Sequence, residues 1–153
     1  MANSRSRSDP DMTHAQAQDL VQAARDASER AYAPYSRFRV GAALLSESGA
    51  VFAGCNVENA SYGLSMCAER VAVACALAAG ERRFQALAIY ADADEPAPPC
   101  GACRQVLGEF AADMPIYLAG RGGGWRELRL AALYPMPFGK TTLCPSEESG
   151  LGA

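Results

Sequence analysis

The stretch SMCAERVAVACALAAG, residues 65–80, decides how the fold is interpreted. From Ala68 onward it is apolar nearly all round, and it stops at Gly80, which is typical of a buried helix that ends at a glycine. Cys67 and Glu69 lie at the start of this helix. Because packing alone does not call for a thiol and a carboxylate side by side at that boundary, the stretch predicts a functional site at the helix N-terminus.

The segments around this helix predict further helices and strands in alternation. Upstream, a helix with Thr13 as its N-cap continues to Tyr32, and the runs FRVGAALLSE and AVFAGCN form a hairpin about Ser48 and Gly49. Downstream follow a strand (FQALAIYAD), a helix (GACRQVLGEFAA) and two strands (MPIYLAG and WRELRL). Strands separated by helices call for parallel pairing through right-handed crossovers. We therefore predict an α/β fold, a single three-layer domain with a mixed sheet of about five strands flanked by helices.

Length and composition indicate one domain and exclude some classes of partner. The chain has 153 residues, 50% of them hydrophobic, and we expect a domain over 14–144 between a mobile N-terminal tail at 1–13 and a polar C-terminal tail at 145–153. The net charge of -3 and the scattered cations argue against nucleic acid, which requires a basic stripe. Since no apolar run reaches the roughly 18 residues that span a bilayer and no signal peptide is evident, we expect a cytoplasmic protein with no membrane partner.

The six cysteines are expected to be reduced thiols, some of them metal ligands, rather than a disulfide framework. Cys100 and Cys103 form PCGAC, a CxxC at a junction between loop and helix that is also compatible with a redox dithiol. Cys67 has a comparable position at the start of the preceding helix. If the strands before the two helices run in the same direction, both helix N-termini emerge at one end of the sheet and the three sulfurs converge.

Three thiolates bind Zn²⁺ at about 2.3 Å and leave the fourth tetrahedral position open, as in a catalytic site. A structural site would need a fourth protein ligand, and the only histidine, His14, lies in the first helix far from any cysteine spacing. Cys55, Cys75 and Cys144 remain as alternatives. Cys75 is about 12 Å along the helix from Cys67 and is expected to be a small core residue, and the other two are expected to be structural.

A zinc ion held by three thiolates carries net negative charge, so the site needs positive potential nearby. The two helix N-termini supply about half a unit of charge each, and Arg70 or Arg104 is expected to donate hydrogen bonds to the sulfurs. Hydrolysis also needs a group that takes a proton from water and returns it to the leaving atom. Glu69, two residues from Cys67 on the first helical turn, is placed to do this without binding the metal.

CAE followed by PCGAC fits the signature of zinc deaminases, with cysteine in place of their histidine. Together with SRFRVGAALL, GCNVENASYGLS, PPCGACRQVLGEF and LYPMPFGKTTL, the motif makes the chain resemble the small homotetrameric cytidine deaminases from about residue 15 to residue 144. The resemblance implies zinc-dependent hydrolysis of cytidine and 2′-deoxycytidine to uridine and 2′-deoxyuridine with release of ammonia, a reaction of pyrimidine salvage. It also implies one Zn²⁺ per subunit, with Cys67, Cys100 and Cys103 as ligands and Glu69 as the proton shuttle.

The resemblance also implies roles for residues around the metal. Asn56 and Glu58 would hold the ribose 3′-hydroxyl, the backbone N–H of Ala68 would bind the base carbonyl, and Phe38 would pack on the nucleoside. Asn56 and Glu58 alternate on an extended segment and so point the same way. Four further positions match residues that this family contributes across subunit boundaries, so the implied active site is shared between subunits: Tyr35, Ala60, Tyr62 and Phe138.

Two positions depart from the family pattern. Pro98 replaces a small hydroxyl residue, and Lys140 follows FG where the family tends to have proline.

Two other functions stay open. A deaminase of nucleic-acid bases or of an aminonucleoside antibiotic is the nearest alternative, although the acidic chain disfavours a polynucleotide. A zinc-stabilised structural module is the other alternative, and it would have no use for Glu69.

Overall fold

The computed structural model describes residues 12–143. The terminal tails, apart from Met12 and Thr13, lie outside the described residues, as does Cys144. The elements, in two series, are helices α1 (His14–Ser28), α2 (Ala68–Ala78), α3 (Gly101–Phe110), α4 (Leu130–Leu133) and α5 (Lys140–Leu143), and strands β1 (Val40–Ser46), β2 (Val51–Cys55), β3 (Phe84–Ala91), β4 (Pro115–Ala119) and β5 (Arg126–Arg129). A 3₁₀ turn covers Tyr62–Leu64.

The five strands form one mixed sheet in the order β2-β1-β3-β4-β5. Strand β1 pairs antiparallel with both β2 and β3, β3 and β4 are parallel, and β4 and β5 are antiparallel. Because β2 and β3 are each antiparallel to β1, they run in the same direction. Helices α2 and α3, which follow them, therefore begin at the same end of the sheet, as the predicted convergence of the sulfurs required.

Helices cover both faces of the sheet, which confirms the predicted three layers. On one face, helix α1 packs against alanines and tyrosines of β1, β3 and β4. Helices α2, α3 and α4 pack against the other face, where Leu44, Leu87 and Ile89 are fully or almost fully buried. Helix α1 lies close to β1 because Gly41 has no side chain: a Cβ there would lie 1.9 Å from the backbone oxygen of Ala24. Every helix among residues 12–143 is too short or too polar to cross a membrane.

Helix α1 begins where predicted and ends earlier than predicted. Thr13 and Gln16 form a capping box, in which the Thr13 hydroxyl accepts from the Gln16 N–H at 3.2 Å and the Gln16 side chain accepts from the Thr13 N–H at 2.8 Å. The helix ends at Ser28 rather than Tyr32. Tyr32 instead pairs with the chain after β2, donating to the Asn56 carbonyl at 3.0 Å and accepting from the Glu58 N–H at 2.8 Å.

Helix α2 differs from prediction in its burial. Gly80 follows its C-terminal end with φ of 94°, a conformation that glycine adopts without strain. The helix is buried on one side only, because Ala74, Cys75 and Ala78 are exposed. The prediction that Cys75 is a core residue is therefore wrong: it lies on the side of α2 that faces away from the sheet.

Candidate active site

Three cysteine sulfurs meet where α2 and α3 begin. Cys67 is the N-cap of α2, Cys100 is the N-cap of α3, and Cys103 lies in the first turn of α3. The Cys67 and Cys100 sulfurs are 3.7 Å apart, and all three sulfurs lie within 4.8 Å of one another. Tetrahedral Zn–S bonds of about 2.3 Å place two sulfurs about 3.8 Å apart. The spacing and the thiol chemistry of these donors therefore fit one zinc ion.

Helices α2 and α3 both begin at a cysteine of this cluster. Cys67 and Cys100 have extended backbone conformations, and neither side chain caps its own helix. Their carbonyls accept the first helical bonds, from Val71 at 3.1 Å and from Arg104 at 3.0 Å. The positive ends of both helix dipoles therefore lie beside the sulfurs and stabilise negative charge there.

Gly54 in β2 fixes the position of the first turn of α2. A Cβ at Gly54 would lie 2.5 Å from the Ala72 nitrogen and 2.6 Å from the Ala68 oxygen, both of them backbone atoms of α2. Only glycine allows the helix and the strand to approach so closely. The placement of Cys67 therefore depends on a residue that has no side chain.

Arg70 contacts the cluster as expected. Its Nη2 donates to the Cys67 sulfur at 3.4 Å, and this bond raises the pKa of the guanidinium, so Arg70 stays charged. The Nε of Arg70 is buried without a partner, the one side-chain nitrogen or oxygen of this kind within residues 12–143. Arg70 thus brings a full positive charge and a spare donor to the thiolates.

Arg104 does not reach the sulfurs, contrary to expectation. Its Nε donates to the Pro99 carbonyl at 2.9 Å, and its Nη1 donates to the Leu133 carbonyl at the end of α4 at 2.9 Å. The competing acceptor comes from a residue 29 positions away, which sequence spacing does not reveal. Of the two candidate arginines, Arg70 alone binds a sulfur.

Glu69 is buried beside the sulfurs, with 5% of its surface exposed. Burial is the main cause of a raised pKa of its carboxyl group. The negative charge of Cys67 raises this pKa further, whereas a hydrogen bond from the backbone N–H of Glu69 lowers it. A hydrogen bond from Cys103, aided by Arg70 and opposed by burial, lowers the pKa of Cys67 to about 5. The same bond and burial raise the pKa of Cys103.

Asn56 holds the loop between α1 and β1. Its side-chain oxygen accepts from the Val40 N–H at 2.9 Å, and its side-chain nitrogen donates to the Phe38 carbonyl at 2.8 Å. These two bonds fix the backbone on both sides of Arg39. Phe38, which is 40% exposed, is therefore presented from a backbone that Asn56 keeps in place.

Glu58 holds the same loop through a residue that sequence reasoning missed. Its carboxylate accepts from the backbone N–H groups of Tyr35 at 3.0 Å and Ser36 at 3.1 Å, and also from the Ser36 hydroxyl. The hydroxyl and the backbone N–H of Ser36 lower the pKa of Glu58. The Ser36 oxygen also accepts from the Phe38 N–H at 3.0 Å. A serine two residues before an aromatic in a Pro-containing turn is the signal that would have indicated this local bond.

A cavity of about 270 Å³ opens beside Glu58. The rings of Tyr35 and Tyr62 pack edge to face there, with centroids 5.7 Å apart. Of the other predicted aromatic and small residues, Phe138 is 55% exposed after α4 and Ala60 is exposed in the loop after β2. The residues that line the cavity are Tyr35, Ser36, Glu58, Tyr62 and Ser65.

Comparison with known proteins assigns the family. Residues 14–119 match the cytidine and deoxycytidylate deaminase zinc-binding region. The chain belongs to this deaminase family. It is 47% identical over 130 residues to a cytidine deaminase of Sporosarcina psychrophila, which covers 84% of this chain and 96% of that protein. A crystal structure of cytidine deaminase from Burkholderia pseudomallei superposes with a TM-score of 0.77 at 49% identity, covering 83% of this chain and 100% of the other.

The deaminase region runs from α1 to β4 and contains the whole sulfur cluster and Glu69. The three cysteines are grouped tightly enough to hold one metal ion, in agreement with the zinc-binding description of the region. A cytidine deaminase of Mycobacterium tuberculosis is 47% identical over 122 residues, which cover 76% of this chain and 84% of that protein. The segment that carries α4, α5 and Phe138 follows the matched region.

Proposed function

We propose that this deaminase hydrolyses cytidine and 2′-deoxycytidine to uridine and 2′-deoxyuridine, releasing ammonia, and so serves pyrimidine salvage. The observation that carries the proposal is the buried Glu69 carboxyl group beside three sulfurs at two helix N-termini. The cytidine deaminases that the chain resembles over most of its length support the choice of substrate. The chain's net charge of -3 disfavours the alternative of a polynucleotide substrate.

The metal of this site is one Zn²⁺ per subunit, which Cys67, Cys100 and Cys103 would hold. Bound zinc would lower the pKa of a coordinated water from about 15.7 to about 7 and so supply a nucleophile near neutral pH. Within residues 12–143, the cluster has three members and no fourth protein ligand, which leaves a coordination position for water. Arg70 and the two helix N-termini offset the negative charge of the thiolates.

Glu69 moves the protons of the reaction. It takes a proton from the attacking water as the oxygen bonds to C4 of the base, and it passes this proton to N3. It then takes the second proton of the water from the new C4 hydroxyl and delivers it to the exocyclic amino group, so that the C4–N bond breaks, C4 becomes a carbonyl and ammonia leaves. Because Glu69 is shielded from solvent, protons pass through this carboxylate rather than through bulk water. General acid-base groups of this kind contribute about 10²–10⁴ in rate.

The substrate lies between the metal and the loop that Asn56 and Glu58 hold. The Ala68 N–H, in the first turn of α2, binds the base carbonyl, and Phe38 packs on the nucleoside. Asn56 and Glu58 bind the ribose 3′-hydroxyl with the same side chains that hold the loop in place. Cytidine and 2′-deoxycytidine both carry that hydroxyl and the same base, so both are substrates.

The active site is completed by neighbouring subunits of a homotetramer. Three aromatics proposed to reach a neighbour's site are exposed: Tyr35 at 47%, Tyr62 at 74% and Phe138 at 55%. Ala60 lies in the loop before Tyr62 and is proposed to take part with them. Contiguous exposed apolar side chains mark surfaces that bind partners, and the outer side of α2 is a second region that is both apolar and exposed. Light scattering should give four chains per particle, and a monomeric variant should be inactive.

One assay tests the reaction and the role of Glu69 together. Cytidine, 2′-deoxycytidine, cytosine and blasticidin are each incubated with the protein, and the change in ultraviolet absorbance is followed. We expect turnover of the two nucleosides, and about one zinc per chain by metal analysis. Glu69→Gln should keep its zinc and lose about 10²–10⁴ in kcat, whereas Glu127→Gln, a change at an exposed carboxylate on β5, should match the wild type. Zinc-free protein with full activity, or near-normal turnover by Glu69→Gln, would reject the proposal.

A further inference from the structure

The guanidinium of Arg104 binds two backbone carbonyls that belong to different parts of the chain. One is the carbonyl of Pro99, bound by Nε at 2.9 Å, and the other is the carbonyl of Leu133, bound by Nη1 at 2.9 Å. Pro99 is fully buried and directly precedes Cys100. Leu133 is the last residue of α4. Arg104 therefore joins the backbone of a zinc ligand to a segment that lies beyond the matched deaminase region.

The next residue of α3 holds the same segment at a second point. The side-chain nitrogen of Gln105 donates to the Phe138 carbonyl at 2.8 Å, and its side-chain oxygen accepts from the Tyr134 hydroxyl. The Tyr134 ring also lies 3.6 Å from where a Cβ on Gly108 would be, so it packs against α3. Residues 133–138 are thus fixed to the helix that carries Cys103 by two adjacent side chains, Arg104 and Gln105.

We propose that Arg104 is a positioning residue for the metal site: by binding Pro99 and Leu133 at once, it fixes the backbone of Cys100 against residues 133–138, so that zinc retention depends on that segment. This inference rests on the proposed zinc site. Positive charge is not what Arg104 supplies, because its observed bonds go to neutral carbonyls while Arg70 bonds to the sulfur. The forked shape of the guanidinium is what matters, since a lysine ammonium is a compact donor that cannot span the two carbonyls in this way.

The test compares zinc release from zinc-loaded, full-length proteins. Each protein is mixed with excess 4-(2-pyridylazo)resorcinol, and the absorbance of the zinc complex gives the release rate without any enzyme assay. Arg104→Lys, which keeps the charge, should release zinc about 10–100-fold faster than the wild type, the range by which outer groups change metal affinity. Arg104→Gln should behave like Arg104→Lys. Tyr134→Phe, which removes the hydroxyl bond to Gln105, should give a smaller increase in rate.

The matched control is Arg82→Lys. Arg82 also donates to two backbone carbonyls, those of Leu77 at 2.8 Å and Glu81 at 2.9 Å, but it does so at the end of α2 remote from the sulfurs. Both bonds come from Nη1 of Arg82, so Arg82→Lys tests the loss of a guanidinium from backbone carbonyls away from the metal, and it should leave the release rate at the wild-type value. A comparable increase in Arg82→Lys would show that general destabilisation releases the metal, and it would overturn the proposal.

Other outcomes are equally decisive. If Arg104→Lys releases zinc at the wild-type rate while Arg104→Gln releases it faster, the charge of Arg104 and not its forked shape retains the metal, and the proposal is overturned. If Arg104→Lys does not fold, Tyr134→Phe decides, and an unchanged release rate there would remove residues 133–138 from any role in retention. Wild-type protein that retains zinc but deaminates neither nucleoside would reject the proposed function while leaving the comparison of release rates valid.

Discussion

Replacing Gly54 by alanine should damage both the stability and the metal site, because no flexible group can make room for the new methyl. The Cβ would lie 2.5 Å from the Ala72 nitrogen and 2.6 Å from the Ala68 oxygen. It would also lie 3.0 Å from the Val71 Cβ. Two of these three atoms belong to the backbone of α2, and side-chain rotation cannot move them. The helix must therefore retreat from β2.

The size of the effect follows from these distances. Ordinary van der Waals contact begins at 3.4 Å, so the closest contact is about 0.9 Å too short. Forcing extra volume into a packed site costs about 1–3 kcal/mol of unfolding free energy, equivalent to a fall of roughly 2–12 °C in Tm for a chain of this size. A retreat of this extent also moves Cys67, although metal–ligand distances tolerate only about 0.2 Å. We expect Gly54→Ala to bind zinc more weakly as well as to unfold more easily.

Denaturant unfolding of zinc-loaded and zinc-free protein separates the two effects. Gly54→Ala should lose stability in both forms, and the loss should be larger with zinc because the variant also loses binding energy. Gly122→Ala is the control, since the nearest atom to its Cβ would be 3.9 Å away. Wild-type stability and zinc affinity in Gly54→Ala would refute the reasoning that the close approach of α2 to β2 places Cys67.

Three further predictions test other parts of the structure. Cys75→Ala should keep the full zinc content, because Cys75 is exposed and lies outside the sulfur cluster; zinc loss in metal analysis would show that the ligands are assigned wrongly. Ser36→Ala should raise KM for cytidine several-fold in steady-state assays and leave kcat largely unchanged, because Ser36 connects Glu58 to the Phe38 backbone. Ser36→Thr should restore KM, and equal KM values in the wild type and both variants would contradict this. Partial burial raises the pKa of Asp113, but the Ala131 N–H and Arg129 lower it by more, so the folded pKa lies below the ordinary value of about 3.9. The ionised Asp113 therefore stabilises the fold fully above about pH 3.9, and this contribution is lost as the pH falls through the folded pKa. Asp113→Asn should therefore flatten the pH dependence of the unfolding free energy below about pH 4, by less than about 1 kcal/mol because the pair is partly exposed, and an unchanged pH dependence would contradict this.

The parts of the fold that the sequence predicted are those in which local pattern and tertiary packing agree. The start of α1 was predictable because Thr13 and Gln16 form a cap within four residues, and the end of α2 because Gly80 adopts positive φ. The end of α1 was not predictable, since Tyr32 leaves the helical pattern to pair with the chain after β2, more than twenty residues later. Burial of Cys75 was predicted wrongly because an almost wholly apolar helix carries no polar side to show which face is exposed.

The metal site shows the same difference between what could be predicted from the sequence and what only tertiary packing decides. Cys67, Cys100 and Cys103 could be grouped from sequence because the directions of β2 and β3 bring two helix starts together, and Arg70 could be placed because it lies three residues after Cys67 on the same side of the helix. The same reasoning failed for Arg104, whose acceptor on Leu133 is fixed only by the packing of α4 on α3.

Helix geometry accounts for this failure and for the separate tasks of adjacent residues in α3. Consecutive helical residues are rotated by about 100°, so Cys103, Arg104 and Gln105 point in three directions. Cys103 points to the sulfur cluster, Arg104 to the carbonyls beside Cys100 and at the end of α4, and Gln105 to the chain around Phe138. One helical turn thereby joins the metal ligands to the segment proposed to reach a neighbouring active site. Because each direction meets a different part of the chain, no single periodicity in the sequence marks the three roles, and only the separate substitutions described above can resolve them.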